Sequence, residues 1–272
     1  MRALAAVAAV LLAACSGPPP PEQAAGAAAT AEFMRGADWP SYNRDLAGTR
    51  FSPLRQISPT NVDELRQAWS YPLGPAAGTS REGSELTPLV VDGVLYATAA
   101  DRVVALRGAS GAEVWRFALP QGAPSQRGLA YWPGDAGAPA RIFFTAGRTL
   151  VALDAATGQK APAFGNAGEV SMPAAYAGAP TRFEDLLIVG SNGPPGGVRA
   201  YDARSGEERW SFTGASTLLH PASSLTVDVD RALLYAVFAG PEPDVFYGGE
   251  RADEDPHQSS VVALDRDRKS VV

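Results

Sequence analysis

Val151-Ala152-Leu153-Asp154-Ala155-Ala156-Thr157-Gly158 decides the fold, because the pattern recurs. It appears as Val104-Ala105-Leu106-Arg107-Gly108-Ala109-Ser110-Gly111 followed by Trp115, and as Arg199-Ala200-Tyr201-Asp202-Ala203-Arg204-Ser205-Gly206 followed by Trp210. The turn glycines at 111, 158 and 206 lie 47 and 48 residues apart. Trp69 precedes Trp115 by 46 residues and marks the end of an earlier, less regular copy; Val262-Ala263-Leu264-Asp265 opens a later one. Each unit reads as strand, turn, strand. A β-rich run ends in Asp or Arg, a Ser/Thr-Gly turn supplies positive φ, and the next strand carries the Trp. Upstream, Leu89-Val90-Val91, Asp92-Gly93 and Val94-Leu95-Tyr96 read as a hairpin closed by a type I′ turn. Arg141–Thr145 and Leu186–Val189 predict further strands ahead of Leu150-Val151 and Val198. Four short antiparallel strands at a period of about 45 residues are the signature of a propeller blade. The one competing helical signal is a turn over Asn61–Gln67, with Thr60 or Ser58 as its cap. The expected fold is an all-β β-propeller.

Composition narrows the setting. The 272 residues carry 23 Lys+Arg against 29 Asp+Glu, a formal charge of −6, which argues against a nucleic-acid partner. With 46% apolar residues the chain has enough to build a core. One cysteine excludes an intramolecular disulfide and any Cys-x-x-Cys metal or haem site. That cysteine closes the first segment: Arg2 precedes an apolar run, Ala3–Ala14, ending Leu12-Ala13-Ala14-Cys15. The run is shorter than the roughly 20 apolar residues that cross a bilayer, so residues 1–14 read as an export signal. Leu-Ala-Ala-Cys looks like a bacterial lipobox, which makes Cys15 the acylated residue. Residues 15–37, with Pro18–Pro21 and many Ala and Gly, read as an extended tether. The expected location is the periplasm, lipid-anchored to a bacterial membrane, the outer membrane being favoured. No P-loop, dinucleotide glycine motif, Gly-x-Ser-x-Gly elbow or His-Glu-x-x-His is present.

The body, residues 38–266, carries a family resemblance. Asp38-Trp39-Pro40-Ser41-Tyr42-Asn43-Arg44-Asp45, Thr49-Arg50-Phe51-Ser52-Pro53-Leu54 and Ile57-Ser58-Pro59-Thr60-Asn61-Val62 resemble the opening of pyrroloquinoline quinone (PQQ)-dependent dehydrogenases. The likeness continues through Thr87–Gly93, Arg127–Asp135, Gly190-Ser191 and Gly196–Asp202. Near the C-terminus, Pro243-Asp244, Tyr247–Arg251 and Ser259–Leu264 look like the glucose/quinate and alcohol dehydrogenase branch. The Ala-x-Asp-x-x-Thr-Gly-x-x-x-Trp repeat is similar to the family's tryptophan-docking motif, in which each Trp packs between blades. The resemblance implies an eight-bladed propeller, about half of it present here, with PQQ and calcium in the central channel.

Carried over residue by residue, the resemblance places Glu85 and Arg127 against the cofactor, Arg127 pairing with a quinone carboxylate, as a guanidinium fork suits. Read without the family, both residues fit an inter-blade ion pair or solvated loop charges. Ser191 and Asn192 fall on the loop bordering the quinone, and Asn192 is the one candidate there for calcium. Three departures stand out. The stacking Trp position falls near Ala222, the second calcium-ligand position near Gly240, and the family's catalytic Asp beyond the last residue, so no catalytic residue is assigned. His220, His257 and Asp253-Glu254-Asp255 read as solvated rather than metal-binding. Asp228 and Asp230 read as hairpin positions, and Trp132 as packing. Residues 267–272 depart from the repeat and read as a non-native tail on a frame cut short.

The functional expectation is an exported PQQ-dependent dehydrogenase, truncated here and inactive alone. It would oxidise an alcohol, polyol or sugar and pass electrons to a quinone or cytochrome. The alternative is a non-catalytic propeller lipoprotein, an outer-membrane assembly scaffold, which the missing Trp and calcium ligands favour. Either way, a half ring exposes an apolar flank unless it closes or oligomerises.

Overall fold

Asp92 and Gly93 take φ of 50° and 73°, the mirror-image turn whose twist matches antiparallel strands. They join β1 (Leu89–Val91) to β2 (Val94–Thr98), with Val91 opposite Val94. In this computed structural model, which describes residues 38–74, 85–125, 127–192, 195–213, 225–238 and 260–266, the expected repeat becomes four sheets. The first continues through β3 (Arg102–Arg107) and β4 (Glu113–Ala118). The second holds β5 (Ala130–Trp132), β6 (Arg141–Ala146), β7 (Thr149–Asp154) and β8 (Glu169–Ser171). The third holds β9 (Thr181–Phe183), β10 (Leu186–Gly190), β11 (Val198–Asp202) and β12 (Glu208–Phe212). The fourth has three strands among the described residues, β13 (Thr226–Asp228), β14 (Leu233–Val237) and β15 (Val261–Asp265). All neighbours are antiparallel and follow chain order. β5 lies against β9, so the first strands face inward, while β4 and β12 are largely exposed outer edges. This is the all-β propeller arrangement that the repeat predicts.

The helical expectation over Asn61–Gln67 shrinks to a three-residue 3₁₀ turn, Val62–Glu64. Neither Thr60 nor Ser58 supplies a side-chain cap. Asn61 is the cap residue, and its side chain is engaged upstream: Oδ1 accepts the Ser58 amide and Nδ2 donates to the Gln56 carbonyl, both at 2.8 Å. Local side-chain bonding of this kind competes with helix propagation. The expectations for residues 1–37, His220, Ala222, Gly240, Asp253–Asp255, His257 and 267–272 lie outside the described residues.

Between the sheets, the turn glycine and the Trp explain each other. Gly111 and Gly158 have φ of 68° and 70°. A Cβ on either would sit 2.6 Å from an indole carbon, of Trp69 and Trp115 respectively. Each Trp thus lies flat on the bare backbone of the next unit, and its indole nitrogen donates at 2.9 Å to that turn, Trp69 to the Gly108 carbonyl and Trp115 to that of Ala155. The second repeat has no Trp, and its junction is built otherwise. Val170 comes within 2.7 Å of the Cβ position of Gly206, and the Gly165 amide donates to the Ser205 carbonyl. The carbonyl equivalent to those of Gly108 and Ala155 is that of Ala203. It accepts instead from Arg141 Nη1, at 2.7 Å.

Arg141 is buried, and desolvation pulls its guanidinium below the ordinary value. It stacks on Trp132, with Arg204 also over that ring, at 5.5 and 5.7 Å. Trp132 is itself buried and donates to Asp185 Oδ1 at 3.1 Å. Arg204 pairs with Asp135 and Asp185. Trp132 therefore packs, as expected, and also carries a cation-π and hydrogen-bonded junction. Asp228 pairs with Arg231 across the hairpin at 2.9 Å, as a hairpin position should.

Replacing Gly158 by Ala is expected to lower stability by about 2–4 kcal/mol, the sum of positive-φ strain and overpacking against Trp115. Gly147→Ala, also at positive φ but with open space at Cβ, should cost only about 1–2 kcal/mol; urea unfolding compares the two. Asp135 is held below its ordinary value of 3.8, first by the Gly137 amide and then by Arg204. A depressed carboxyl pKa stabilises above the unfolded value, and the gain is lost as pH falls through the folded one. The stability gap between wild type and Asp135→Asn should therefore be widest near neutral pH and narrow below pH about 4.

Candidate functional site

In an antiparallel sheet whose first strand lies inside, the loop before the first strand and the loop between the second and third share one end of the molecule. Three such pre-strand loops meet here. Thr87, leading into β1, bridges Gly128, leading into β5. Gly128 has φ of 117°, and a Cβ there would come within 3.0 Å of the Thr87 carbonyl, so the close approach depends on glycine. That bridge sets Glu85 beside Arg127, and the two side chains pair at 2.7 Å. Arg127 is mostly covered, with 22% of its side chain exposed, while Glu85 is exposed.

The next loop is held just as tightly. Ser125 Oγ donates to the Ala177 carbonyl at 2.6 Å and accepts the Arg127 amide at 3.2 Å. The Ala177 amide donates to Asn192 Oδ1 at 2.6 Å, and the Asn192 amide donates to the Ala175 carbonyl at 2.9 Å. Thr145 Oγ1 donates to the Gly178 carbonyl at 3.2 Å. Tyr176 is buried in the middle. Burial pushes its hydroxyl well above the ordinary range, with the nearby positive charge of Arg127 acting the other way. Gly178 allows the fold: a Cβ there would stand 2.5 Å from the Tyr176 ring.

A cavity of about 200 Å³ opens at this end, bordered by Arg127, Tyr131, Tyr176, Arg182 and the 40–50 segment, including Asp45 and Arg50. Its lining residues include three arginines, Arg50, Arg127 and Arg182, and one aspartate, Asp45. The 40–50 segment is anchored, because Trp39 pairs with Val90 and Asp45, itself buried, accepts the Thr49 amide at 2.9 Å. Arg44 in the same segment is buried, with φ of 73°.

The expected residues thus take different places. Arg127 lines the cavity. Glu85 pairs with Arg127, so the structure forms an ion pair of the kind that was the alternative to cofactor contact for each residue, and one such contact leaves most of the guanidinium N–H groups for another anion. Asn192 does not border the cavity but fixes Ala177, one step behind it. Ser191 is buried and accepts from Arg199 Nη1 at 3.2 Å within its own sheet. Asp45, Tyr176 and Arg182 went unassigned in the sequence reading. The buried-aromatic environment of Tyr176 and the approach of the 40–50 segment are long-range features with no local pattern. Among the described residues no three His, Cys, Asp or Glu side chains converge.

A positively lined slot with two tyrosines and glycine-bared backbone suits the carboxylate edge of a flat, polyanionic molecule. Its volume falls below the ~300–1,000 Å³ of complete ligand pockets, so the described residues supply an anionic anchor and part of a wall.

Comparisons with known proteins agree with the fold. The family profile described as "Glucose/ethanol/alcohol dehydrogenase, beta-propeller domain" matches residues 39–268. The chain belongs to this family of PQQ dehydrogenase propellers. The quinohemoprotein alcohol dehydrogenase of Comamonas testosteroni is 37% identical over 203 residues, 67% of this chain and 26% of that one. Quinoprotein glucose dehydrogenase A of Acinetobacter calcoaceticus is 28% identical over 290 residues, 84% of this chain and 36% of that one. The solved quinohemoprotein alcohol dehydrogenase ADHIIG of Pseudomonas putida HK5 superposes with a TM-score of 0.72 at 28% identity. That match covers 90% of this chain and 41% of that structure. The chain spans about a quarter to a third of the length of these curated relatives.

Proposed function

We propose that this chain forms the cofactor-anchoring part of an exported PQQ-dependent dehydrogenase acting on an alcohol, polyol or sugar. The observation that carries the reading is the mostly covered Arg127, held by Glu85 and facing a cavity whose other cations are Arg50 and Arg182. When bound, PQQ supplies a two-electron acceptor for hydride leaving the alcohol carbon. The residues of this chain bind and orient. Arg127 presents its remaining N–H groups to a quinone carboxylate. Glu85 fixes the fork without neutralising the slot, because Arg50 and Arg182 add positive charge. Tyr176, protonated at any physiological pH, offers a neutral hydroxyl in a dry setting. Ser125 and Asn192 lock the Ala177 loop and so keep the Arg127 wall in place. Asn192, the calcium candidate of the sequence, accepts the Ala177 amide through Oδ1, which keeps a second lone pair for a cation.

Names of the relatives support the substrate class: alcohol, butanol and glucose dehydrogenases recur among them, one of them described as cytochrome c-linked. A quinone or cytochrome acceptor fits that setting. The Leu12–Cys15 motif and the tether after it support export and attachment through acylated Cys15.

Titration of the chain with PQQ, followed by tryptophan fluorescence, should show Arg127→Ala binding about 10–100-fold more weakly than wild type, from one charge-assisted hydrogen bond of about 1.5–3 kcal/mol. Arg127→Lys should recover part of that loss. Equal affinities for all three would remove Arg127 from the site. In a bacterial host, Cys15→Ala should abolish labelling by radioactive palmitate and move the protein from the membrane to the soluble fraction; unchanged fractionation would refute the lipid anchor.

A further inference from the structure

One side of the cavity is built by a segment that belongs to none of the sheets. Residues 39–50 run along the inner strands as a strap. Trp39 exchanges both main-chain bonds with Val90, at 2.7 and 3.0 Å, and Asp38 Oδ1 accepts the Asp92 amide at 3.2 Å, so the strap starts on the first sheet. Leu46 then packs against the apolar cluster shared by the other three sheets. The strap brings Asn43, Asp45 and Arg50 to the cavity lining. Its short polar side chains bond it to itself. Asp45 accepts the Thr49 amide at 2.9 Å and also the Thr49 hydroxyl. The Arg44 amide donates to the Ser41 carbonyl at 2.9 Å, and the Gly48 amide to that of Asp45 at 3.1 Å. Asn43 holds Arg50 twice: its carbonyl accepts the Arg50 amide at 3.3 Å, and its Oδ1 accepts Arg50 Nε at 2.8 Å.

These bonds hold a strained residue in place. Arg50 has φ of 50°, in the left-handed region that favours glycine. Strain of this kind persists where the surroundings over-determine it, and it gathers at binding sites. Arg50 is exposed and lines the cavity, so burial of its side chain does not offset the strain. What arginine supplies at this position, and glycine would not, is the guanidinium. The residue that aims it is a neutral amide. Arg127 is paired with a carboxylate, whereas Asn43 engages Nε without neutralising the charge, and a guanidinium fork has further N–H groups at both Nη atoms.

We propose that Arg50 is a second anion-binding residue of the cavity and that Asn43 is the positioning residue that aims it. The ligand is then gripped by two separate elements, by Arg127 on the loop before β5 and by Arg50 on the strap. Such a grip suits a rigid molecule that bears more than one carboxylate. The inference rests on the reading of the cavity as a PQQ anchor and extends that reading to a residue outside the sheets.

The test measures PQQ binding by tryptophan fluorescence, and urea unfolding, on the full chain and on variants of it. Arg50→Gly removes the guanidinium and relieves the positive φ. Its unfolding midpoint should stay close to that of the wild type while PQQ binds about 10–100-fold more weakly. Arg50→Lys, a point charge without the fork, should recover only part of that loss. Asn43→Asp keeps an oxygen to accept Nε but adds a negative charge, so stability should hold or rise while PQQ affinity falls several-fold; a purely structural role for Asn43 would move neither apart from the other. PQQ trimethyl ester, which carries no carboxylate, should bind the wild type and Arg50→Gly alike. The proposal fails if Arg50→Gly or Asn43→Asp binds PQQ as tightly as the wild type, or if Arg50→Gly weakens the ester as much as the acid. Arg127→Ala separates the two readings. A loss there with none at Arg50→Gly leaves the PQQ anchor standing and removes the strap from it, whereas a wild-type chain that does not bind PQQ brings down both.

Discussion

An indole laid flat on a glycine that has no side chain to push it away is the contact on which this architecture depends. It works because two requirements coincide at one residue. The turn needs positive φ, which glycine adopts without strain, and the neighbouring Trp needs bare backbone. The indole N–H then satisfies a turn carbonyl that would otherwise be buried without a partner. A sheet of this size cannot bury both faces alone; stacking on its neighbours supplies the rest. The recurring Trp fixes both the spacing and the angle of that stacking.

The junction lacking a Trp shows that the carbonyl, rather than the ring, is the fixed point. Arg141 reaches the Ala203 carbonyl from the opposite sheet and is sheltered by Trp132, while Val170 takes the space over Gly206. A guanidinium buried for this purpose needs nearby compensation, and the aspartates around Arg204 provide it in the same cleft. The cavity end depends on this stiffness. Because each pre-strand loop is tied to the next by main-chain acceptors, at Thr87, Ala177 and Gly178, a single arginine can be held mostly covered beside its carboxylate and still face an open slot. Loops anchored to packed sheets in this way hold their side chains on a rigid scaffold.

Much of this was readable in the chain. The glycine spacing, the Trp positions, the Asp92-Gly93 turn and the strands at 141 and 186 are short-range features, in which backbone preference and alternation act within ten residues. The helical turn over 61–67 misled because Asn61 can cap in two directions, and the choice is made by the Ser58 and Gln56 backbone it meets. The resemblance pointed to Arg127 and Glu85, but not to their mutual contact across 42 positions of sequence. It also set Ser191 at the quinone loop, and it did not point to the hydrogen bond that the hydroxyl accepts from Arg199.

What the sequence determined by itself was the class of fold and the family, because both are written in a repeat whose units fold locally. What only the tertiary structure decided was which side chains share a cavity and which strands lie covered. Asp45, Tyr176 and Arg182 line one cavity with Arg127 only because three inner strands and the 40–50 segment converge on one end. Val103 and Val198 are fully covered while Val261 is 66% exposed, though all three are valines at the same place in the repeat. Convergence and covering are properties of how sheets are arranged around an axis, and no local run of residues encodes them.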